Sequence, residues 1–477
     1  MLKDKYHLLL DGGWVPGADG DIPILDKYRL EPFAAITGAS EAQIGQMAAA
    51  ADAAFRRGAP TGYERGRILD RAVALLDDRT EDFVAAMQAE AGFTASDAMG
   101  EINRCKITLG LSAEEARRLT GDMLPFDGVP GQEGRLAFTL RVPIGPVVAI
   151  TPFNSPLNTV AHKIAPAFAA GNPVVLKPAS ATPITACLLA EVLVEAGMPA
   201  GFLQVLHCRT ELIRHLLDDP RMRFFAFTGS TEVGRAIQAR AGLRRTQMEL
   251  GSITHVIVAD DANLDIALPK VVGASYRKAG QVCTSIQVLL VHEAIMATVE
   301  RRLTEAVKAL KFGDPRGEGV TVGPLISEGD ARRVEDWVAE AVAKGAEVLN
   351  GGPRVGAVLP PTLLKNVSPD TRLGCQEAFG PILTLRPYRT LDEAVEIVNA
   401  TPYGLASGLF TNRLTDALAA ARKIVAGGVH INETSSSRVD VMPYGGSKDS
   451  GFGREGPHYT VMEMTEERVV TIATKGF

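Results

Sequence analysis

Apolar positions change their period along this chain. In the stretches EAQIGQMAAAADAAF (41–55) and RGRILDRAVALLDDRTEDFVAAMQAEAG (65–92), apolar residues recur at three- and four-residue intervals with charges between them. That spacing predicts amphipathic helices between about residues 40 and 118. Residues 121–134 are rich in Gly, Pro and Asp and read as a loop or hairpin. RLAFTLRVPIGPVVAIT (135–151) then carries two β-rich apolar stretches, the second continuous enough for a buried strand.

From there the pattern alternates. VVAITPF (147–153), PVVLKPA (173–179), FLQVLH (202–207) and FFAFTG (224–229) read as strands. AHKIAPAFAAG (161–171), TACLLAEVLVEAG (185–197) and TELIRHLLDD (210–219) read as the helices between them. Strand–helix alternation with short connections predicts an α/β chain built on a parallel sheet. A second alternating set starts near Glu249, with strands at HVIVAD (255–260), SIQVLLVH (285–292), PILTLRPY (381–388) and SGLFT (407–411). Its first helix is expected within 264–280, and the tail TEERVVTIATKGF (465–477) reads as a strand that pairs with the Leu136 region or with another subunit.

Length and charge narrow the function. The 477 residues suggest roughly three domains at about 150 residues each. A net charge of −6 leaves no basic excess to neutralise phosphates, which argues against a nucleic-acid or membrane-surface partner. The five cysteines are scattered without a Cys-x-x-Cys pair, and no His-Glu-x-x-His occurs, so neither a disulfide framework nor a metal site is expected. No run of 18 apolar residues appears, and the short leucine run at Leu8–Leu10 does not make a secretory leader, so a cytoplasmic location is expected.

Three local patterns carry chemistry. GQVCTS (280–285) sets Cys283 among Gly, Gln, Thr and Ser, where backbone N–H groups favour a thiolate; an inert buried cysteine is the alternative. MELGS (248–252) sets Glu249 at a strand end, as a general base or a surface carboxylate. FTGSTEVGR (227–235) ends a strand and opens a helix at Gly229 and Ser230, which fits a phosphate site or an ordinary helix cap.

With TPFNSPLN (151–158), LKPAS (176–180), EAFGPI (377–382) and MPYGGSKDSGFGREG (442–456), these patterns resemble the aldehyde dehydrogenase superfamily, in the family's own order, from about Leu8 to Val470. The resemblance implies a Rossmann-type dinucleotide domain (1–119 and 139–248), an α/β catalytic domain (249–456) and a small β oligomerisation arm (120–138 and 457–477) of a homodimer or homotetramer. It implies Cys283 as nucleophile, Glu249 as base and Asn154 as oxyanion-hole amide, oxidising a small aldehyde to the acid through a thioester. For the cofactor it implies Thr151, Pro152, Phe153, Lys177, Ser180, Gly229, Ser230, Glu377 and Phe379.

Many relatives carry Glu where Ser180 stands. A serine removes the repulsion of a 2′-phosphate, which favours NADP over NAD, and it also suits a helix cap near Thr182. The segment NETSSSRVDVMPYGG resembles the branch acting on lactaldehyde and on phosphonate- or sulfonate-bearing aldehydes. Arg104, Ser155 and Arg438 are accordingly the expected contacts for a hydroxylated or anionic substrate. A coenzyme A-acylating dehydrogenase and a cysteine hydrolase are the competing readings; Glu249 weighs against the first and the cofactor motifs against the second.

Overall fold

The structure, a computed structural model, describes residues 2–473. Two large sheets organise the chain. The first has eight strands. Five of them run parallel at its centre: Arg245–Glu249, Phe224–Thr228, Val147–Ile150, Val174–Lys177 and Leu203–Val205. Antiparallel strands close both edges, with Gly451–Phe452 beside Arg245–Glu249 and Leu8–Leu10 beside Leu203–Val205. The chain builds outwards from Val147–Ile150 in one direction and then returns to add Phe224–Thr228 on its other side. Such a reversal opens a crevice at the carboxyl ends of the two central strands.

The second sheet has seven strands, in the order Glu347–Asn350, Thr362–Lys365, Ile382–Tyr388, Ile286–His292, Thr254–Val258, Ala406–Phe410 and Gly428–Ile431. All pairings are parallel except that of Glu347–Asn350. Its strands are nearly continuous apolar runs because both faces are covered, as parallel sheets require. The tail strand Thr465–Ala473 pairs antiparallel with Arg135–Pro143, which also holds the short Met123–Leu124. Residues 474–477 of the expected tail lie outside the described residues.

Several expected elements differ for identifiable reasons. The helical run 65–92 is two helices, Gly62–Asp78 and Thr80–Ala91. The Thr80 hydroxyl donates to the Leu76 and Asp77 carbonyls, a local bond that competes with continuation of the helix. The expected helix 210–219 is a 3₁₀ turn, Thr210–Ile213, and one α turn, Arg214–Leu217, stopped ahead of Pro220. Ser180 does not cap the next helix, Pro183–Glu195; its N-cap residue is Thr182. Two first-turn N–H groups, on Ile184 and Thr185, donate to the buried Glu90 carboxylate, which burial pushes up to about 7. Residues 457–464, grouped with the arm by sequence, are mostly the helix Pro457–Glu463, and Val461 and Met464 are buried in the core beneath the first sheet.

Candidate active site

Side chains from four strand ends and one turn meet in a cavity of about 550 Å³. Cys283 lies in the turn before Ile286–His292, reached through a strained reversal in which Lys278 and Ala279 hold φ of 51° and 54°. Gly280 is required there: it has φ 69°, and a Cβ would lie 2.0 Å from the Gly380 carbonyl oxygen. Glu249 ends its strand and is buried against Cys283. Asn154 follows the strand Val147–Ile150, and its carboxamide makes no hydrogen bond to the described residues, leaving its N–H donors aimed at the cavity.

The Cys283 sulfur sits 2.9 Å from the Tyr444 hydroxyl, which in turn donates to Glu249 at 3.5 Å. Burial, then the Glu249 charge, hold the thiol well above its usual range. Burial, then the neighbouring Glu455, likewise raise the Glu249 carboxyl above the usual carboxylate range.

Of the nine expected cofactor residues, all but Lys177 and Ser180 line this cavity. Phe153 and Phe379 meet edge to face at 5.6 Å, and Gly229 and Ser230 open the helix Thr231–Ala241. The Ser230 hydroxyl already accepts from the Val233 N–H, so it caps the helix while its backbone faces the cavity. Thr151 has a buried hydroxyl without a partner among the described residues, a group that a bound polar ligand would satisfy. Glu377 accepts from the Ser252 N–H, and burial pushes it up to about 8. A second cavity of about 470 Å³, lined by Lys177, Ile213, Val233 and Ile237, has the apolar walls an adenine needs. Ser180 is exposed and lines neither cavity.

The aldehyde dehydrogenase family profile matches residues 14–470. The chain belongs to the aldehyde dehydrogenase family. The dehydrogenase is 44% identical over 469 residues to the 3-sulfolactaldehyde dehydrogenase of Priestia aryabhattai, with 98% of each chain covered. It superposes on aldehyde dehydrogenase 21 of Physcomitrella patens, solved with the reaction product succinate, at a TM-score of 0.96 with 38% identity and 100% of both chains covered. The NADP-dependent glyceraldehyde-3-phosphate dehydrogenase of Bacillus halodurans, solved with NADP, gives 0.96 at 31% identity over 99% of this chain and 100% of that one. The protein is therefore an enzyme that oxidises an aldehyde group with NAD or NADP.

The charged residues of the dehydrogenase's cavity are more committed than the sequence suggests. Arg104 grips Asp440 with two hydrogen bonds, at 2.6 and 3.2 Å. Arg438 donates to Glu455 at 3.0 Å and stacks on Tyr444, 3.7 Å from the ring centre. Ser155 donates its hydroxyl to Glu101. All three line the cavity, but each has a protein partner, because a charge or hydroxyl in so dry a place is costly to leave unpaired.

Arg277, which sequence reasoning missed, is the exception. It follows the helix Leu264–Tyr276 and lines the cavity, and its guanidinium has neither hydrogen bond nor ion pair among the described residues. The available signal was its place six residues before Cys283, the expected nucleophile.

Lys278, the next residue, is buried. It donates to Glu101 at 2.8 Å and to the Asn154 carbonyl at 3.0 Å. Burial alone would raise Glu101, but Lys278 and then Arg104 bring it down to about 2. Glu101 also accepts from the Asn158 N–H, so this pair clamps the whole 154–158 loop. Lys278→Met leaves the Glu101 charge uncompensated and should cost about 3–5 kcal/mol in denaturant unfolding. The double variant Glu101→Gln/Lys278→Met should regain most of that stability yet oxidise aldehyde slowly, because the Asn154 backbone has lost its anchor.

Proposed function

We propose that the dehydrogenase oxidises a short aldehyde bearing an anionic group, using Cys283 as nucleophile, Asn154 as oxyanion donor and Glu249 as hydrolytic base. The thiolate adds to the aldehyde carbon, forming a C–S bond and an alkoxide. The Asn154 carboxamide and the Cys283 backbone N–H, neither of them hydrogen-bonded among the described residues, can donate to that oxygen. One such donor is worth about 3 kcal/mol in other enzymes. A nicotinamide bound here would supply the hydride acceptor that lets the alkoxide collapse to a Cys283 thioester. Thr151, Phe153, Phe379 and Glu377 would flank it, and the Lys177 ammonium, with no ion-pair partner among the described residues, would suit a 2′-phosphate. Glu249 then takes a proton from the water that hydrolyses the thioester, which favours release of the free acid over acyl transfer.

The observation that carries the substrate reading is Arg277, a cavity guanidinium without a hydrogen-bond or ion-pair partner among the described residues. A relative named for 3-sulfolactaldehyde and a neighbour solved with succinate, both anion-bearing compounds, support it. The paired strands Arg135–Pro143 and Thr465–Ala473 leave Leu136, Leu140, Val469 and Ile472 exposed, which supports a homo-oligomer joined through this arm. No described helix is long and apolar enough to cross a membrane, and the expected cytoplasmic location is part of this proposal.

Three measurements test the reading. Arg277→Ala should raise KM for succinic semialdehyde by about ten- to a hundredfold, the worth of a charge-assisted bond, while a neutral aldehyde of similar length changes little. Equal losses on both would remove Arg277 from the substrate site. Glu249→Gln should keep a stoichiometric burst of cofactor reduction and slow turnover by about 10²–10⁴-fold. In the parent, deacylation should rise with pH as Glu249 loses its proton, with a midpoint above the usual carboxylate range; the variant should lose that limb. Ser180→Glu should shift the kcat/KM ratio from NADP towards NAD, and an unchanged ratio would mean that this loop does not read the ribose.

A further inference from the structure

Tyr444 touches the side chains proposed as nucleophile and base. Its hydroxyl lies 2.9 Å from the Cys283 sulfur and 3.5 Å from a Glu249 carboxylate oxygen, and the bond to Glu249 runs from tyrosine to carboxylate. The ring is buried, and the Arg438 guanidinium is stacked on it at 3.7 Å. Arg438 is neutralised from behind by Glu455, which also accepts from Lys163 at 2.9 Å and from Thr228 at 3.0 Å. The phenol therefore cannot swing away without losing its stack on a guanidinium that a buried ion cluster holds in place.

We propose that Tyr444 is a fourth catalytic residue, a hydroxyl relay that carries the thiol proton of Cys283 to Glu249 before the nucleophile attacks. In the relay the S–H bond breaks as its proton joins the tyrosine oxygen, while the phenolic O–H breaks as its proton joins the Glu249 carboxylate. The products are a thiolate, a neutral tyrosine and a carboxylic acid, and no outside reactant is needed. The tyrosine now carries the former thiol proton, which points back at sulfur, so the same hydroxyl holds the new thiolate by a charge-assisted bond. Arg438 on the ring face favours charge moving through the phenol. Glu249 releases its proton to solvent before serving the hydrolytic half. Arg277, Arg438, Lys163, Glu455 and Glu377 are the other titratable or charged groups facing the trio. Arg438 thus serves the nucleophile, and the substrate anion is left to Arg277.

The inference rests on Cys283 being the nucleophile, so the experiment begins there. Iodoacetamide should inactivate the cofactor-free enzyme in proportion to alkylation of Cys283; activity surviving full alkylation would overturn that assignment and the relay with it. The rate of alkylation against pH is then compared for the parent, Tyr444→Phe, Glu249→Gln and the double variant. Phenylalanine keeps the ring under Arg438, so packing survives, and unchanged circular dichroism checks it. Tyr444→Phe should move the alkylation profile up by at least about one pH unit, on the order of tenfold in thiolate at neutral pH. By removing the charge that holds the thiol up, Glu249→Gln should move the profile down, and in that background Tyr444→Phe should move it up by clearly less than in the parent, since the chain is already broken. A Tyr444→Phe profile that coincides with the parent's, or falls equally at every pH, would overturn the relay. So would a Tyr444→Phe shift of the same size in both backgrounds.

Discussion

The Glu455 carboxylate is the interaction on which the site depends. It is fully enclosed, and it binds Lys163 on the buried helix Asn158–Ala170, Thr228 at a central strand end, and Arg438 in the loop above the cavity. Three separate parts of the chain thus converge on one charge. Burial would raise its pKa, yet Lys163 and then Arg438 hold it well below the usual carboxylate range, so it stays ionised. Removing one partner of such a cluster costs about 3–5 kcal/mol, because the remaining charge has no water to turn to. The cluster fixes Arg438, Arg438 fixes Tyr444, and Tyr444 bounds the position of the Cys283 sulfur.

Charge pairing also decides which cation is free for substrate. Arg104, Arg438 and Lys278 are matched by Asp440, Glu455 and Glu101. A substrate anion approaching one of these has to displace a buried carboxylate, exchanging one strong bond for another with little net gain. Arg277 offers its hydrogen-bond donors without that exchange. Two arginines on a cavity wall are therefore not equivalent to two binding groups; the partner each already has sets its availability.

Much of this was legible in the sequence, and the rest fails for one reason. The strand–helix alternation predicts both parallel sheets, and the motifs holding Asn154, Gly229, Ser230 and Glu249 sit at strand ends because the crevice forms there. Those signals are local. The pairings that reassign side chains are not: Arg104 meets Asp440 across 336 residues, and Lys278 meets Glu101 across 177. The cap of helix Pro183–Glu195 comes from Glu90, 94 residues before its first partner, Ile184, so a serine just upstream looks like a cap only while the helix is considered alone. Arg277 stood in plain view, but its significance is a missing partner, and absence of pairing is a property of the folded chain.

The resting state of Cys283, the proposed nucleophile, follows from the same physics. Reactive cysteines commonly have an adjacent cation that lowers the thiol pKa. Cys283 instead faces burial and a carboxylate, both of which keep its proton on; Tyr444 and the more distant Arg438 oppose them without prevailing. A neutral thiol is a poor target for oxidants, which climb the oxidation ladder from the thiolate. The arrangement has a consequence for catalysis: the group that receives the thiol proton has to lie within the site and be basic enough to hold it. Glu249 meets both conditions because burial and Glu455 raise its affinity for a proton. One carboxylate can then serve attack and hydrolysis in turn, since each half-reaction asks it to accept one proton near neutral pH.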